Sequence, residues 1–125
     1  MNHLLYKVRE IELKNKNQTR KRLIIEFEDS ACAILAEYLM VDAPLLNWKV
    51  INEMDAVLNE RKKETQLSGN RTLITVNNLE TKIEDLLAGM VDESDKLPTV
   101  VIETDAFHHI LINWYETLSK FKKKQ

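Results

Sequence analysis

The C-terminal part of the chain carries a stripe of apolar residues at helical spacing. Its members, three or four positions apart over four turns, are Phe107, Ile110, Leu111, Trp114, Leu118 and Phe121. Such a stripe is typical of the buried face of an amphipathic helix, which packs against a second layer of structure. Thr104 and Asp105 supply an N-cap, and the lysines at the far end complement the helix dipole. The sequence therefore predicts a long, packed helix from about Thr104 onwards.

Two apolar segments near the N-terminus predict a β-hairpin. Residues 4–13 and residues 23–27 are rich in Leu, Val, Ile and aromatic residues, with partial alternation. The polar and strongly basic residues 14–22 between them are expected to form the connecting loop. Two further strands are predicted at residues 71–76, after a turn at residues 67–70, and at residues 100–102.

Three helices are predicted between the hairpin and the last strand. Asp29 and the serine after it cap a helix over residues 31–40. A second helix begins at residues 42–44, with the proline near its first position, and runs to about Thr65. A short third helix at residues 83–87 ends at Gly89, in the position of a left-handed C-terminal cap.

The predicted order ββααβ(α)βα favours an α+β fold with a small, mainly antiparallel sheet of about four strands covered by helices. At 125 residues, with 44% apolar and 30% charged residues, the chain has the size and composition of one globular domain, spanning residues 1–125. Its one cysteine, Cys32, cannot form an internal disulfide, and no apolar run approaches the roughly 18 residues of a membrane span. We expect a soluble cytoplasmic protein with no membrane partner.

The sequence contains few of the residue patterns that are typical of catalytic sites. Two glycines in the whole chain, Gly69 and Gly89, exclude the glycine-rich loops that bind nucleotide phosphates. His108 and His109 are adjacent, so on a helix they point about 100° apart and cannot hold one metal together. Asp105 lies four residues before His109, a spacing that orients imidazoles in some hydrolases and also occurs for stability alone. We expect no enzymatic activity, no cofactor and no metal.

Charge is the remaining functional signal, and it occurs in bands. Six acidic residues are concentrated on the predicted short helix and the loop after it, where they predict a surface that binds a basic protein: Glu80, Glu84, Asp85, Asp92, Glu93 and Asp95. The alternative is that these carboxylates are merely solvated. The basic residues at 14–22 indicate a possible contact with nucleic-acid phosphates, but only 6% of the chain is aromatic, which leaves little for stacking on bases.

One stretch resembles a known family. Residues 83–118 are similar to the closing strand-and-helix segment of small immunity proteins from bacterial polymorphic toxin systems. The similarity covers about a quarter of the chain and consists of a V-x-I-x-T-x-x-F pattern, from Val100 to Phe107, followed by an apolar helix with Trp114. The resemblance implies binding of a cognate toxin, often a nuclease, in the producing cell. It implies no particular site residues, because these families diversify at their contact positions.

The sequence thus favours a non-enzymatic binding protein, an inhibitor or immunity protein that neutralises a basic toxin or enzyme through an acidic surface. The alternative is a nucleic-acid-binding accessory protein that uses the basic hairpin residues 14–22. A homodimer is also possible, because Ile112 and Tyr115 widen the apolar arc of the last helix.

Overall fold

The computed structural model describes residues 5–86 and 97–123 and begins with a long β-hairpin. Strands β1 (Tyr6–Asn15) and β2 (Gln18–Phe27) pair antiparallel along their whole length. At the open end, the Tyr6 and Phe27 rings lie 5.5 Å apart, and Ile25 is buried in the core of the protein. Towards the turn, the residues of both strands are exposed. The hairpin is therefore anchored at one end and projects into solvent at the other.

The predicted hairpin is confirmed, but the predicted loop over residues 14–22 is wrong. Only Lys16 and Asn17 connect the strands, and residues 18–22 continue the ladder as an exposed polar strand. The sequence does not show this, because apolar alternation marks only the half of each strand that packs on the core.

A continuous helical run follows. Its parts are a 3-10 turn at Ser30–Cys32, α1 (Ala33–Glu37), a π-helical turn at Tyr38–Asp42 and α2 (Ala43–Leu45). The predicted cap is confirmed: Asp29 Oδ1 accepts a hydrogen bond of 2.9 Å from the Ala31 N–H. The two helices predicted here are joined, because the wide π turn carries the chain directly into the proline of α2.

Helix α3 (Lys49–Leu58) is shorter than predicted. Asn47 and Trp48, both with φ of 60°, separate it from α2. It ends at Leu58 rather than near residue 65, because Glu60, with φ of 61°, leaves the helical region of backbone space.

A four-stranded antiparallel sheet forms the second half of the fold, in the order β3-β4-β5-β6. The strands are β3 (Glu64–Ser68), β4 (Thr72–Asn77), β5 (Glu80–Asp85) and β6 (Val100–Glu103). The predicted strands at 71–76 and 100–102 correspond to β4 and β6. Strand β3 occupies residues that were partly predicted as helix.

The prediction of a short helix at residues 83–87 is wrong. Thr81, Ile83 and Asp85 are buried alternately with more exposed neighbours, which is the period of a half-buried strand. Two of these inward residues are polar, so the apolar pattern did not reveal the strand. Gly89, which was predicted to cap the helix, lies outside the described residues.

Helix α4 (Thr104–Lys123) packs against the inner face of the sheet and against α3, as its stripe predicts. Phe107, Ile110, Leu111 and Trp114 are buried, and the Trp114 indole N–H donates to the Leu39 carbonyl over 2.7 Å. The predicted α+β class, with a mainly antiparallel four-stranded sheet and covering helices, is confirmed. Within the described ranges, no helix combines the length and apolar character needed to cross a membrane.

Candidate functional site

The predicted acidic surface is divided by the fold. Glu80 and Glu84 lie on β5 and point to the outer face of the four-stranded sheet, away from the helices. Asp85 lies on the opposite, inner face and is buried. The other three predicted partner-binding residues, Asp92, Glu93 and Asp95, lie outside the described residues.

Asp85 is buried and forms an ion pair with Arg71. Arg71 donates to it from Nε over 3.3 Å and from Nη2 over 3.0 Å, and the Leu97 N–H donates to its Oδ2 over 3.0 Å. This carboxylate raises the pKa of Arg71 above its ordinary value. Arg71 also approaches Glu37 of α1 at 3.9 Å. The pair therefore connects the sheet to α1 and to the chain that enters β6, and Asp85 is not part of the exposed acidic surface.

The outer face of the sheet gathers acidic residues that are distant in sequence. Glu64 of β3 pairs with Asn77 of β4, and Glu80 of β5 pairs with Glu103 of β6. Asn77 and Glu80 lie one position beyond the Val76–Thr81 pair, so these residues follow one row across the sheet. Glu80 and Glu103 stand directly opposite each other across β5 and β6. Sequence reasoning missed Glu64 and Glu103, because only the register brings them beside Glu80.

Apolar side chains border this row. Val101 of β6 is 57% exposed, and Leu79, in the turn before β5, is 73% exposed. Lys82 lies between Glu80 and Glu84 along β5, and its Nζ is 3.6 Å from Glu84 Oε1. We call the set Glu64, Glu80, Glu84, Glu103 and Val101 the outer sheet face.

The basic residues predicted for a loop are arranged instead on a β-ribbon. On one face of the hairpin, Ile11 stands opposite Arg22 and Leu13 stands opposite Arg20. On the other face, Glu12 stands opposite Lys21. Near the anchored end, Arg9 forms an ion pair with Glu26 and lowers the pKa of that carboxyl. Arg20 and Arg22 therefore lie on one face of the ribbon, and the glutamates of β1 lie on the other.

The histidines predicted as weak catalytic candidates have separate contacts. His109 Nε2 lies 3.2 Å from Asn113 Nδ2, and His108 Nε2 lies 3.4 Å from Asp55 Oδ1 on α3. No hydrogen bond joins Asp105 to His109 in the described part of the chain. Nor do these residues contain a group of three or more His, Cys, Asp or Glu side chains placed to hold a metal ion.

An open cleft of about 410 Å³ lies between the end of β2 and α1. Cys32, Glu26 and Glu37 line it, together with apolar side chains. Cys32 is buried, and burial raises the pKa of its thiol, with a smaller effect from Asp29. A thiol with a raised pKa is a poor nucleophile. Cys32 is therefore a small residue of the hydrophobic core.

The most completely coordinated side chain is one that sequence reasoning did not single out. Asp42, at the end of the π turn, is buried. Its carboxylate accepts hydrogen bonds from the N–H groups of Asn70, Arg71 and Thr72, at 3.0, 3.1 and 2.9 Å, and from the Thr72 hydroxyl at 2.5 Å. Three successive backbone N–H groups that converge on one anion form a small anion-binding nest. Here the anion is the protein's own carboxylate, so the nest has a structural role.

Comparisons with protein-family models, with curated proteins and with solved structures found no match for this chain.

Proposed function

We propose that this chain is a non-enzymatic protein-binding module, an inhibitor or immunity protein that neutralises a basic toxin or enzyme through its outer sheet face. The observation that carries the proposal is the row of carboxylates at Glu64, Glu80 and Glu103, which the fold assembles from three strands on an exposed surface. A basic partner is attracted to such a surface over several ångströms and held in register by paired charges.

The chemistry of this face suits a protein partner. Stable interfaces combine apolar contact with surrounding polar groups, and the exposed side chains of Val101 and Leu79 lie beside the glutamates. A basic side chain of the partner placed between Glu80 and Glu103 would lie close to two carboxylates at once. Binding would therefore form ion pairs with carboxylates from two neighbouring strands.

The test is coexpression of the chain with the product of each neighbouring gene, followed by measurement of cell survival and of binding by calorimetry. We expect one neighbour to be toxic alone and harmless in the presence of this chain. The double variant Glu80→Lys with Glu103→Lys should weaken that binding by about 100-fold or more, as expected for close interfacial charge pairs.

The matched control reverses two exposed glutamates elsewhere, Glu10 on β1 and Glu116 on α4. It changes the net charge equally but should leave binding within about threefold, since distant surface charges are largely screened. Equal weakening by both double variants would refute the outer sheet face as the binding surface. If no neighbouring product is toxic or bound, the immunity function is wrong.

A further inference from the structure

Positive charge is concentrated on the exposed distal end of the hairpin. Residues 11–22 contain five basic residues and one acidic residue, a net charge of +4, whereas the whole chain has a net charge of −2. The remainder therefore carries −6. All of residues 12–22 are exposed, and they form the distal end of the two-stranded ribbon of β1 and β2.

The charges of this distal ribbon are sorted between its two faces. Arg20 and Arg22 share one face with Ile11 and Leu13, whereas Glu12 is on the other face, opposite Lys21. The basic face thus presents two guanidinium groups, which fit phosphate oxygens bidentately. Leu13 is 46% exposed beside them.

We propose that the distal ribbon, residues 11–22, binds double-stranded DNA, with the ribbon lying in the major groove and Arg20, Arg22 and the flanking lysines on the phosphates at its edges. The major groove of B-form DNA is about 12 Å wide and admits a two-stranded β-ribbon. Five residues on each strand give a length of about 17 Å, roughly half of one helical turn. The DNA-binding surface is independent of the outer sheet face, which belongs to a different sheet.

The composition of the ribbon favours duplex DNA over other nucleic acids. Residues 11–22 contain no aromatic side chain, so they lack the stacking platforms by which single strands are bound. The major groove of A-form RNA is deep and narrow, and a ribbon of this width does not enter it. The ribbon is therefore suited to contacts with the phosphates and the groove edges of B-form DNA.

The number of available cations sets the expected salt dependence. Lys14, Lys16, Arg20 and Arg22 provide about four phosphate contacts, since Lys21 stands opposite Glu12. Release of the counterions from four phosphates gives a slope of about −3.6 in log affinity against log salt. Raising the salt from about 50 mM to about 200 mM should then weaken binding by about 100-fold.

The test is fluorescence anisotropy with the full chain and a labelled DNA duplex of about 20 base pairs, long enough for two helical turns. We expect Arg20→Gln with Arg22→Gln to weaken binding by at least about 10-fold and to reduce the salt slope by about 2. The control, Lys120→Gln with Lys122→Gln on α4, removes the same charge from another exposed surface and should leave both values nearly unchanged. Retention of most binding by Arg20→Lys with Arg22→Lys would support the phosphate contacts independently.

Four results would overturn the proposal. They are no binding at low salt, equal loss in the arginine variant and the lysine control, equal affinity for an RNA duplex, and tighter binding to vesicles of anionic phospholipid than to DNA. The last result would assign the basic and aliphatic face to a membrane surface instead.

Discussion

Replacing Gly69 by alanine tests whether the turn between β3 and β4 depends on the carboxylate of Asp42. A Cβ atom at position 69 would lie 2.5 Å from both Cγ and Oδ2 of Asp42 and 2.8 Å from its Cβ. Ordinary carbon contacts begin near about 3.5 Å, so the two segments must move apart by about 1 Å. The backbone of Gly69 lies outside the left-handed region, so the requirement for glycine at this position is steric.

The loss of stability expected for Gly69→Ala follows from the hydrogen bonds that the Asp42 carboxylate accepts. A shift of about 1 Å would stretch the hydrogen bonds from the Asn70, Arg71 and Thr72 N–H groups, now 2.9 to 3.1 Å long, beyond useful length. Each hydrogen bond to a charged group contributes about 1.5 to 3 kcal/mol, and local relaxation recovers part of the total. We expect the free energy of unfolding to fall by about 3 to 4 kcal/mol.

Urea denaturation followed by circular dichroism measures this change. Ser68→Ala, at the exposed neighbouring residue, is the control and should cost less than about 0.5 kcal/mol. In an Asp42→Gly background, the three atoms that a new Cβ would meet are absent, so Gly69→Ala should cost almost nothing there. A cost below about 1 kcal/mol in the parent, or an equal cost in both backgrounds, would refute the steric argument.

Two further predictions concern single side chains. The buried Tyr38 hydroxyl has no hydrogen-bond partner among the described residues, so Tyr38→Phe should raise the free energy of unfolding by about 1 kcal/mol in urea, and a loss would contradict this. Hydrogen bonds from Lys62 and Thr65, each 2.7 Å long, lower the pKa of Glu53, so its stabilising effect is present above about pH 4.3 and is lost as the pH falls through the lower folded pKa. The stability difference between parent and Glu53→Gln should therefore shrink towards zero between about pH 4 and pH 2, and a difference that stays constant over this range would count against the assignment.

The elements that the sequence predicted well are those with one continuous apolar face. Helix α4 and strand β4 each bury one side against the core, so their periodicities are clear. Strand β3 buries only Thr65 fully, and strand β5 turns Thr81 and Asp85 inward beside Ile83. Polar residues at inward positions hide the period of a strand, which is why a helix was predicted in place of β5 and why β3 was missed.

The surfaces were less predictable than the elements, because they depend on register and on long-range contacts. Glu80 was found from local charge density, but its neighbour Glu103 lies 23 positions away and becomes adjacent only through the pairing of β5 with β6. Asp85 belongs to the same acidic stretch of sequence, yet one step along the strand places it on the inner face with Arg71. Residues that are close in sequence were therefore predicted to share one surface, although the pleat of the sheet places them on opposite faces.

The fold explains why the turn that contains Gly69 does not bind an external phosphate. The turn at residues 69–72 has converging N–H groups, but Asp42 fills it with an internal carboxylate. An external phosphate would have to displace a buried anion and leave it uncompensated, at a cost of several kcal/mol. The two charged surfaces proposed for binding, the acidic outer sheet face and the basic distal ribbon, lie on separate sheets. Because no strand is shared, charge reversal at Glu80 and Glu103 should leave DNA binding by the ribbon intact, and the two proposals can fail independently.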